Sequence, residues 1–221
     1  TNELDVQWVE NEDWEYLSHF QINRFHLQYD RIDLTFEGLD TYADIVLNDS
    51  LILQTDNMYI PWSVDVKQYL RMGENVLQVY FHSPVLRGQK KLITHPNLIP
   101  ASNESKPVGH QTSVFTRKAQ YHYGWDWGPR LVTSGIWRPV TLQSWSGARI
   151  NDIYCHLDSL SKYSADYSIK ISVESVNEID AELTIRMAEK TTSHRAFLKQ
   201  GDNNLIITRG IKNPILWWPN G

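Results

Sequence analysis

The run 121–130 concentrates residue types that bind sugars. It reads Tyr-His-Tyr-Gly-Trp-Asp-Trp-Gly-Pro-Arg, so two tryptophans flank the carboxylate of Asp126. Its glycines and proline predict a loop, because glycine admits positive φ and proline fixes φ. The apolar face of a pyranose can lie against an aromatic ring while a carboxylate accepts hydrogen bonds from its hydroxyls. Trp125, Asp126 and Trp127 are therefore candidate carbohydrate-binding residues. The alternative is that both rings plug the end of a β-sandwich core.

Composition argues against several other classes of protein. The net charge of −5 and the isoelectric point near 5.9 do not favour a nucleic-acid partner, which would select a basic stripe. Short basic pairs such as Arg117-Lys118 are predicted to be solvated. No apolar run reaches the roughly 18 residues of a membrane span. The histidines lack metal-ligand spacing and no glycine-rich phosphate loop occurs, so neither a metal nor a nucleotide is predicted.

Alternation of apolar and polar residues with period two predicts an all-β chain. The clearest alternating runs are 31–37, 62–66, 169–173 and 183–187. Asn48-Asp49-Ser50 is predicted to turn a hairpin, and Gly73-Glu74-Asn75 to lead into another strand. The single cysteine, Cys155, lies in an alternating run and is predicted to be a small buried residue rather than a nucleophile.

Residues 84–110 interrupt this rhythm. They carry four prolines and show no sustained alternation. Irregular connections of this length are uncommon inside a domain and tend to be functional or mobile. The segment is predicted to run across the surface beside the 121–130 loop.

Two domains are predicted, residues 1–146 and 147–221. Serines and a glycine interrupt the strands near this boundary, and short strands then recur at roughly ten-residue spacing, as in immunoglobulin-like sandwiches. The second domain has only four or five candidate strands, against roughly seven in a complete sandwich. It is therefore expected to be incomplete, with an unpaired strand edge.

Several segments of the chain share a resemblance to one group of enzymes. They are 36–43, 47–48, 56–58, 73–77, 117–130, 135–139 and 216–221. Together they resemble the non-catalytic N-terminal part of β-mannosidases of glycoside hydrolase family 2. The resemblance covers essentially the whole chain, and its Trp-Asp-Trp-Gly-Pro-Arg run is specific for the mannosidase branch.

The resemblance implies a jelly-roll, galactose-binding-like β-sandwich followed by a truncated immunoglobulin-like one. It also implies an exo-acting, retaining enzyme that releases terminal non-reducing β-D-mannose and needs no cofactor. Catalysis in this family uses two glutamates at strand ends of a (β/α)₈ barrel, which takes roughly 200 residues or more. The chain lacks βα alternation, so it is expected to hold no catalytic residue and to be inactive alone. Asn103-Glu104 and the other Asn-Glu pairs are interpreted as surface dipeptides.

By the same resemblance, the substrate-binding residues are Asp126, Trp125, Trp127 and Arg130. Asp126 would accept hydrogen bonds from hydroxyls of the terminal mannose, and one of the two rings would wall the pocket. Arg130 would either fix the Asp126 carboxylate by a forked ion pair or clamp carbonyl groups of the loop. The implied partners are a β-mannoside and the barrel domain, without nucleic acid or membrane. The implied compartment is secreted or periplasmic, or lysosomal for an animal protein.

Three alternatives stay open from sequence. The parent enzyme could be a family 2 β-galactosidase or β-glucuronidase, although the Trp-Asp-Trp run argues against both. A tryptophan-rich sandwich also suits a free-standing carbohydrate-binding module. The third alternative is a structural sandwich that docks a neighbouring domain and binds no sugar.

Overall fold

A computed structural model of the chain describes residues 2–187 and 190–219. The chain divides into two units, Thr1–Ser144 and Trp145–Gly221, at a point two residues before the predicted boundary. Strands dominate both units, which confirms the all-β prediction.

The first unit is a two-layered β-sandwich. Its strands are β1 (Trp14–Ile22), β2 (Arg31–Phe36), β3 (Leu39–Asp40), β4 (Tyr42–Leu47), β5 (Ser50–Thr55), β6 (Trp62–Asp65), β7 (Gly73–His82), β8 (Gly135–Ile136) and β9 (Val140–Trp145). One sheet has the order β1-β7-β4-β5, the other has β6-β2-β9, and β3 pairs with β8 as a short ribbon. Because alternate residues of a strand face one side, apolar residues from both sheets meet between the layers. Phe36, Ile45 and Phe81 are fully buried there, each contributing about 1.5–3 kcal/mol.

The hairpin predicted at Asn48-Asp49 joins β4 to β5. Both residues have positive φ, 48° and 69°, as a two-residue turn of this kind requires. The Asn48 side chain donates hydrogen bonds to the carbonyl oxygen of Tyr69 at 2.8 Å and to the side chain of Asn75 at 2.7 Å. These bonds tie the turn to the start of β7.

Helices are few, but one of them lies in a segment that was predicted to be irregular. The α-helices are α1 (Asn2–Asp5), α2 (Arg24–Leu27) and α3 (Pro84–Thr94), and 3₁₀ turns cover Gln7–Asn11, Lys67–Tyr69, Ser113–Phe115 and Gln120–Tyr123. The prediction of an irregular connection over 84–110 was wrong for its first 11 residues, which form α3. Ser83 caps α3 by accepting a hydrogen bond from the Leu86 N–H, and Pro84 occupies the first turn, where proline is tolerated.

The rest of that connection runs beside the 121–130 loop, as predicted. The backbone N–H and the hydroxyl of Ser105 both donate to the carbonyl oxygen of Tyr123, each at 3.1 Å. Val85 of α3 packs with Tyr123 and Val132 in a small buried cluster. Helix α3 and the connection therefore both contact Tyr123, directly before the loop turns at Gly124.

The second unit contains a sheet of three long strands and a separate two-stranded hairpin. Its strands are β10 (Ala148–Leu160), β11 (Ser164–Ser175), β12 (Ile179–Met187), β13 (Lys190–Leu198) and β14 (Gly201–Lys212). They form the sheet β10-β11-β14 and the hairpin β12-β13. Ile169, Ile171 and Val173 lie in the core between them, as their alternation predicts.

Cys155 does not occupy the buried position predicted for it. Its side chain is exposed, as is nearly all of β10. The apolar side chains that cover the sheet come from β12 and β13, and they pack on β11 and β14, whereas β10 contributes only Ala148 to this cluster among the described residues. The alternating pattern predicted the strand correctly but could not show that this edge is uncovered.

Candidate functional site

The 124–129 loop presents its central residues to solvent. The N–H of Trp125 donates to the carbonyl oxygen of Gly128 at 3.2 Å, and the N–H of Gly128 returns a bond to Trp125 at 3.3 Å. This reciprocal pair makes a tight turn whose apex carries Asp126 and Trp127, both exposed. We call residues 125–128 the loop tip.

The two tryptophan rings of the loop tip support each other without entering the sandwich core. Their centroids lie 5.9 Å apart at 76°, an edge-to-face contact. Trp127 is 84% exposed and Trp125 is 39% exposed. The alternative that both rings plug the core is therefore wrong, and both stay available to a ligand.

Gly124 is needed where the loop leaves the sandwich. Its φ is +113°, and a Cβ at this position would lie 2.6 Å from the Ser105 hydroxyl oxygen. Only glycine combines this backbone angle with so close a neighbour. The residue fixes the direction in which the loop tip departs.

Arg130 lies beneath the loop and makes different contacts from those predicted. Its Nε donates to a Glu10 carboxylate oxygen at 2.6 Å, and one terminal nitrogen donates to Glu104 at 3.0 Å and to the carbonyl oxygen of Tyr123 at 3.3 Å. The predicted ion pair with Asp126 was wrong, because the turn directs Asp126 outward while Arg130 is only 4% exposed. The bond to Tyr123 matches the alternative of a clamp on loop carbonyls.

Glu10, Glu104 and Arg130 form what we call the loop base. Glu104 is buried, so its interpretation as part of a surface dipeptide was wrong. Its second carboxylate oxygen accepts hydrogen bonds from the N–H groups of Thr112 and Ser113 at 2.8 and 2.9 Å. Lys106 lies 3.6 Å from Glu10 and adds a second positive charge. Buried charges persist only when they are paired and hydrogen-bonded in this way.

A groove of about 610 Å³ opens beside the loop tip in the first unit. Five aromatic rings line it, and all are at least partly exposed: Tyr16, Tyr59, Tyr121, Trp125 and Trp137. The short ribbon of β3 and β8 supplies part of its wall. We call this the aromatic groove. Aromatic walls with a few polar groups are typical of small-molecule sites.

Asp40 and His122 line the aromatic groove, and Asp40 is paired there with Lys118, which is buried behind the lining. The Lys118 ammonium donates to the Asp40 carboxylate and, at 2.6 Å, to the carbonyl oxygen of Thr133. His122 Nδ1 lies 3.7 Å from Asp40. The prediction that Lys118 is solvated was wrong: its side chain is fully buried.

Burial controls the protonation of this cluster. It lowers the pKa of Lys118, and the attraction of Asp40 offsets only part of that effect. Burial also lowers the pKa of His122, the Lys118 charge adds to the shift, and Asp40 opposes it. His122 is therefore a neutral imidazole at pH 7, between an ion pair and the groove.

Sequence analysis missed most of the aromatic groove. Tyr59 and Trp137 were not singled out, nor was Asp40, although 36–43, 56–58, 117–130 and 135–139 were all quoted for the resemblance. In the structure these four segments all contribute to the groove or its immediate border. Their shared likeness to one enzyme group was the available signal, because residues far apart in the chain cannot be assembled from spacing alone.

Two further features are absent from residues 2–187 and 190–219. No cluster of three or more histidine, cysteine or acidic side chains there could hold a metal ion. Across the same residues, no helix combines the length and apolar character needed to span a membrane.

Known proteins match the chain along its whole length. The family described as glycosyl hydrolase 2 galactose-binding domain-like matches residues 1–138. β-Mannosidase B of Aspergillus niger is 37% identical over 226 residues, which cover 100% of this chain and 26% of that protein. β-Mannosidase B of Thermothelomyces thermophilus is 34% identical, with 99% and 25% covered. The chain thus spans about a quarter of the length of the curated relatives it matches.

Solved structures agree with these matches. A crystal structure of β-D-mannosidase from Dictyoglomus thermophilum superposes with a TM-score of 0.92 at 41% identity, covering 100% of this chain and 27% of that one. The exo-chitosanase CsxA of Amycolatopsis orientalis superposes with a TM-score of 0.70 at 19% identity, covering 100% and 23%. The second likeness shows the fold alone.

Proposed function

The chain belongs to the glycosyl hydrolase 2 galactose-binding domain-like family, and from that premise we propose that it is part of an exo-acting, retaining β-mannosidase. The observation that carries the proposal is the loop tip. It holds an exposed carboxylate between two exposed indole rings, in a chain 34–41% identical to β-mannosidases from three organisms. The substrate is a β-mannoside with its mannose at the non-reducing end.

In this proposal the loop tip contributes one side of the mannose pocket. The Asp126 carboxylate accepts hydrogen bonds from mannose hydroxyls, and such bonds to a charged acceptor contribute roughly 1.5–3 kcal/mol each. Trp125 stacks on or walls the sugar ring, and Trp127 supports Trp125 through their edge contact. Arg130 was predicted to bind substrate, but its buried bonds to Glu10 and Glu104 suit a positioning residue that holds the loop.

The bond-breaking groups come from elsewhere in the protein. A retaining glycosidase needs a nucleophile and an acid/base, two carboxyl groups about 5–5.5 Å apart. Glu10 and Glu104 are both occupied by Arg130 and closed to solvent, so they do not suit this chemistry. We assign the catalytic pair to a (β/α)₈ barrel, whose mouth the loop tip would face. Two carboxyl groups and water suffice for this reaction, so the proposal requires no cofactor.

The test replaces Asp126 in the protein at its full natural length. Asp126→Ala is expected to lower kcat/KM on 4-nitrophenyl β-mannoside by about a hundredfold, which corresponds to roughly 3 kcal/mol of lost transition-state binding. Asp49→Asn is the matched control, because Asp49 is an exposed acid in a turn conformation that asparagine tolerates. It should leave kcat/KM unchanged.

A panel of nitrophenyl glycosides separates this proposal from its rivals. Preferred hydrolysis of the β-galactoside or β-glucuronide would replace the mannosidase assignment. Binding of mannose without hydrolysis of any glycoside would favour a carbohydrate-binding module. Unchanged kinetics in a folded Asp126→Ala variant would remove Asp126 from the pocket.

A further inference from the structure

The aromatic groove holds rings that the proposed mannose pocket does not use. Tyr59 and Tyr121 are 59% and 64% exposed, and neither hydroxyl is hydrogen-bonded to any residue within 2–187 and 190–219. They lie in the same groove as Trp125, the indole that also belongs to the loop tip. The groove is therefore continuous with the proposed pocket through one shared ring.

The bottom of the groove favours a neutral, hydroxylated ligand over an ion. The charges of Asp40 and Lys118 cancel in their buried pair, and His122 is neutral there at pH 7. Thr133, Ser134 and Gln120 add hydroxyl and amide groups to the lining. A carboxylate or ammonium ligand would find no unpaired opposite charge among these residues, whereas a polyol would find donors and acceptors.

Ring walls above neutral polar groups are the combination that binds a pyranose. Aromatic faces cover the C–H surface of the sugar while hydroxyl and amide groups exchange hydrogen bonds with its edge. Tyr59 and Tyr121 present such faces with little cost in side-chain entropy, because a tyrosine has few rotatable bonds. Burial raises the pKa of Tyr59, and the neighbouring Tyr121 and Asp40 add to this shift.

We propose that the aromatic groove is a second sugar-binding subsite, which holds the next pyranose unit of a β-linked mannoside whose terminal unit lies at the loop tip. This inference rests on the proposed function, since it takes the ligand of the loop tip to be mannose. Trp125 forms the boundary between the two subsites. Substrates with two or more sugar units are then bound more tightly than simple mannosides.

The experiment measures binding of two ligands to the protein at its full natural length. One ligand is mannose, and the other is a β-1,4-mannobiose with sulfur in place of the glycosidic oxygen, which the enzyme does not hydrolyse. Isothermal titration calorimetry gives Kd for each. Tyr59→Ala and Tyr121→Ala are each expected to weaken binding of the thio-disaccharide about fivefold and to leave mannose binding unchanged.

Tyr29→Ala is the matched control, because Tyr29 is an exposed tyrosine of the same unit outside the groove. It should change neither Kd. Both groove tyrosines are exposed, so their replacement leaves the fold intact, and circular dichroism checks this.

The outcomes separate the groove from the proposed function. If both groove variants bound the thio-disaccharide as tightly as the wild type, the groove proposal would be overturned while the mannose pocket stood. If they lost mannose binding as well, the groove would be part of the first pocket and not a second subsite. A wild-type protein that hydrolysed no β-mannoside but bound the thio-disaccharide through Tyr59 would overturn only the proposed enzyme activity.

Discussion

The loop tip and the loop base both carry carboxylate groups, but the two regions differ in their exposure to solvent. At the tip, the Asp126 carboxylate is exposed and the Trp127 ring is 84% exposed. At the base, Glu10, Glu104 and Arg130 are each less than a tenth exposed. An exposed charge is stabilised by water and is free for a ligand, whereas a buried charge depends on its partner. The comparison places the groups that are available to a ligand at the tip and the groups that hold the loop in position at the base.

The largest expected effect follows from removing the cation of the loop base. Arg130→Met keeps much of the side-chain volume but leaves the Glu10 and Glu104 carboxylates without their shared partner. Breaking a buried ion pair in this way costs about 3–5 kcal/mol. We expect the free energy of unfolding to fall by that amount in urea denaturation followed by tryptophan fluorescence.

Arg24→Met is the control for this prediction, since Arg24 is an exposed arginine stacked on Phe25. It should change the unfolding free energy by no more than about 0.5 kcal/mol. A loss below about 1 kcal/mol in Arg130→Met would show that the base does not depend on the cation. The claim that the loop base holds the loop in position would then be wrong.

The loop tip could be predicted from sequence and the loop base could not. Ring, carboxylate, glycine and proline are neighbours in 121–130, so their chemistry is visible in one short run. The partners of Arg130 lie 120 and 26 positions away. Sequence analysis therefore paired Arg130 with the nearest acid, Asp126, which the turn directs into solvent. Lys118 was misplaced for the same reason, because its partner Asp40 lies 78 positions away.

Local patterns explain what else was predicted correctly and what was missed. Alternation identified β2, β6, β11 and β12, since a strand with one buried face must alternate. Helix α3 was not predicted from the sequence, because its buried residues are few and one of them is Gly88, which packs against Thr112. A helix stabilised by such tertiary contacts leaves a weak periodic signal.

Acid should destabilise the protein through the buried cluster of the groove. The pKa of His122 is lower in the folded protein than its ordinary value of 6.5, chiefly because of burial and then of Lys118. The unfolded chain therefore binds more protons below about pH 6.5, so the free energy of unfolding falls as pH decreases through that range. The contribution of His122 has a slope of at most about 1.4 kcal/mol per pH unit.

Urea denaturation between pH 7.5 and 5 measures this slope. His122→Gln should flatten it, while replacement of the exposed His110 by glutamine should leave it as in the wild type. An equal slope in the wild type and in His122→Gln would mean that His122 is not held neutral beside Asp40 and Lys118.

The smallest expected effect on stability is at Trp127, although tryptophan is the largest side chain. Its ring is 84% exposed and its recorded ring contact is the edge of Trp125, so Trp127→Ala should change the unfolding free energy by no more than about 0.5 kcal/mol. Phe81→Ala in the sandwich core, where the ring is fully buried, should cost about 3–5 kcal/mol in the same assay. If Trp127→Ala lowered the unfolding free energy by more than about 2 kcal/mol, the Trp127 ring would contribute to the stability of the fold. If Trp127→Ala instead keeps the stability of the wild type while kcat/KM on a β-mannoside falls, the ring serves the ligand alone, because the loop base already fixes the loop without it.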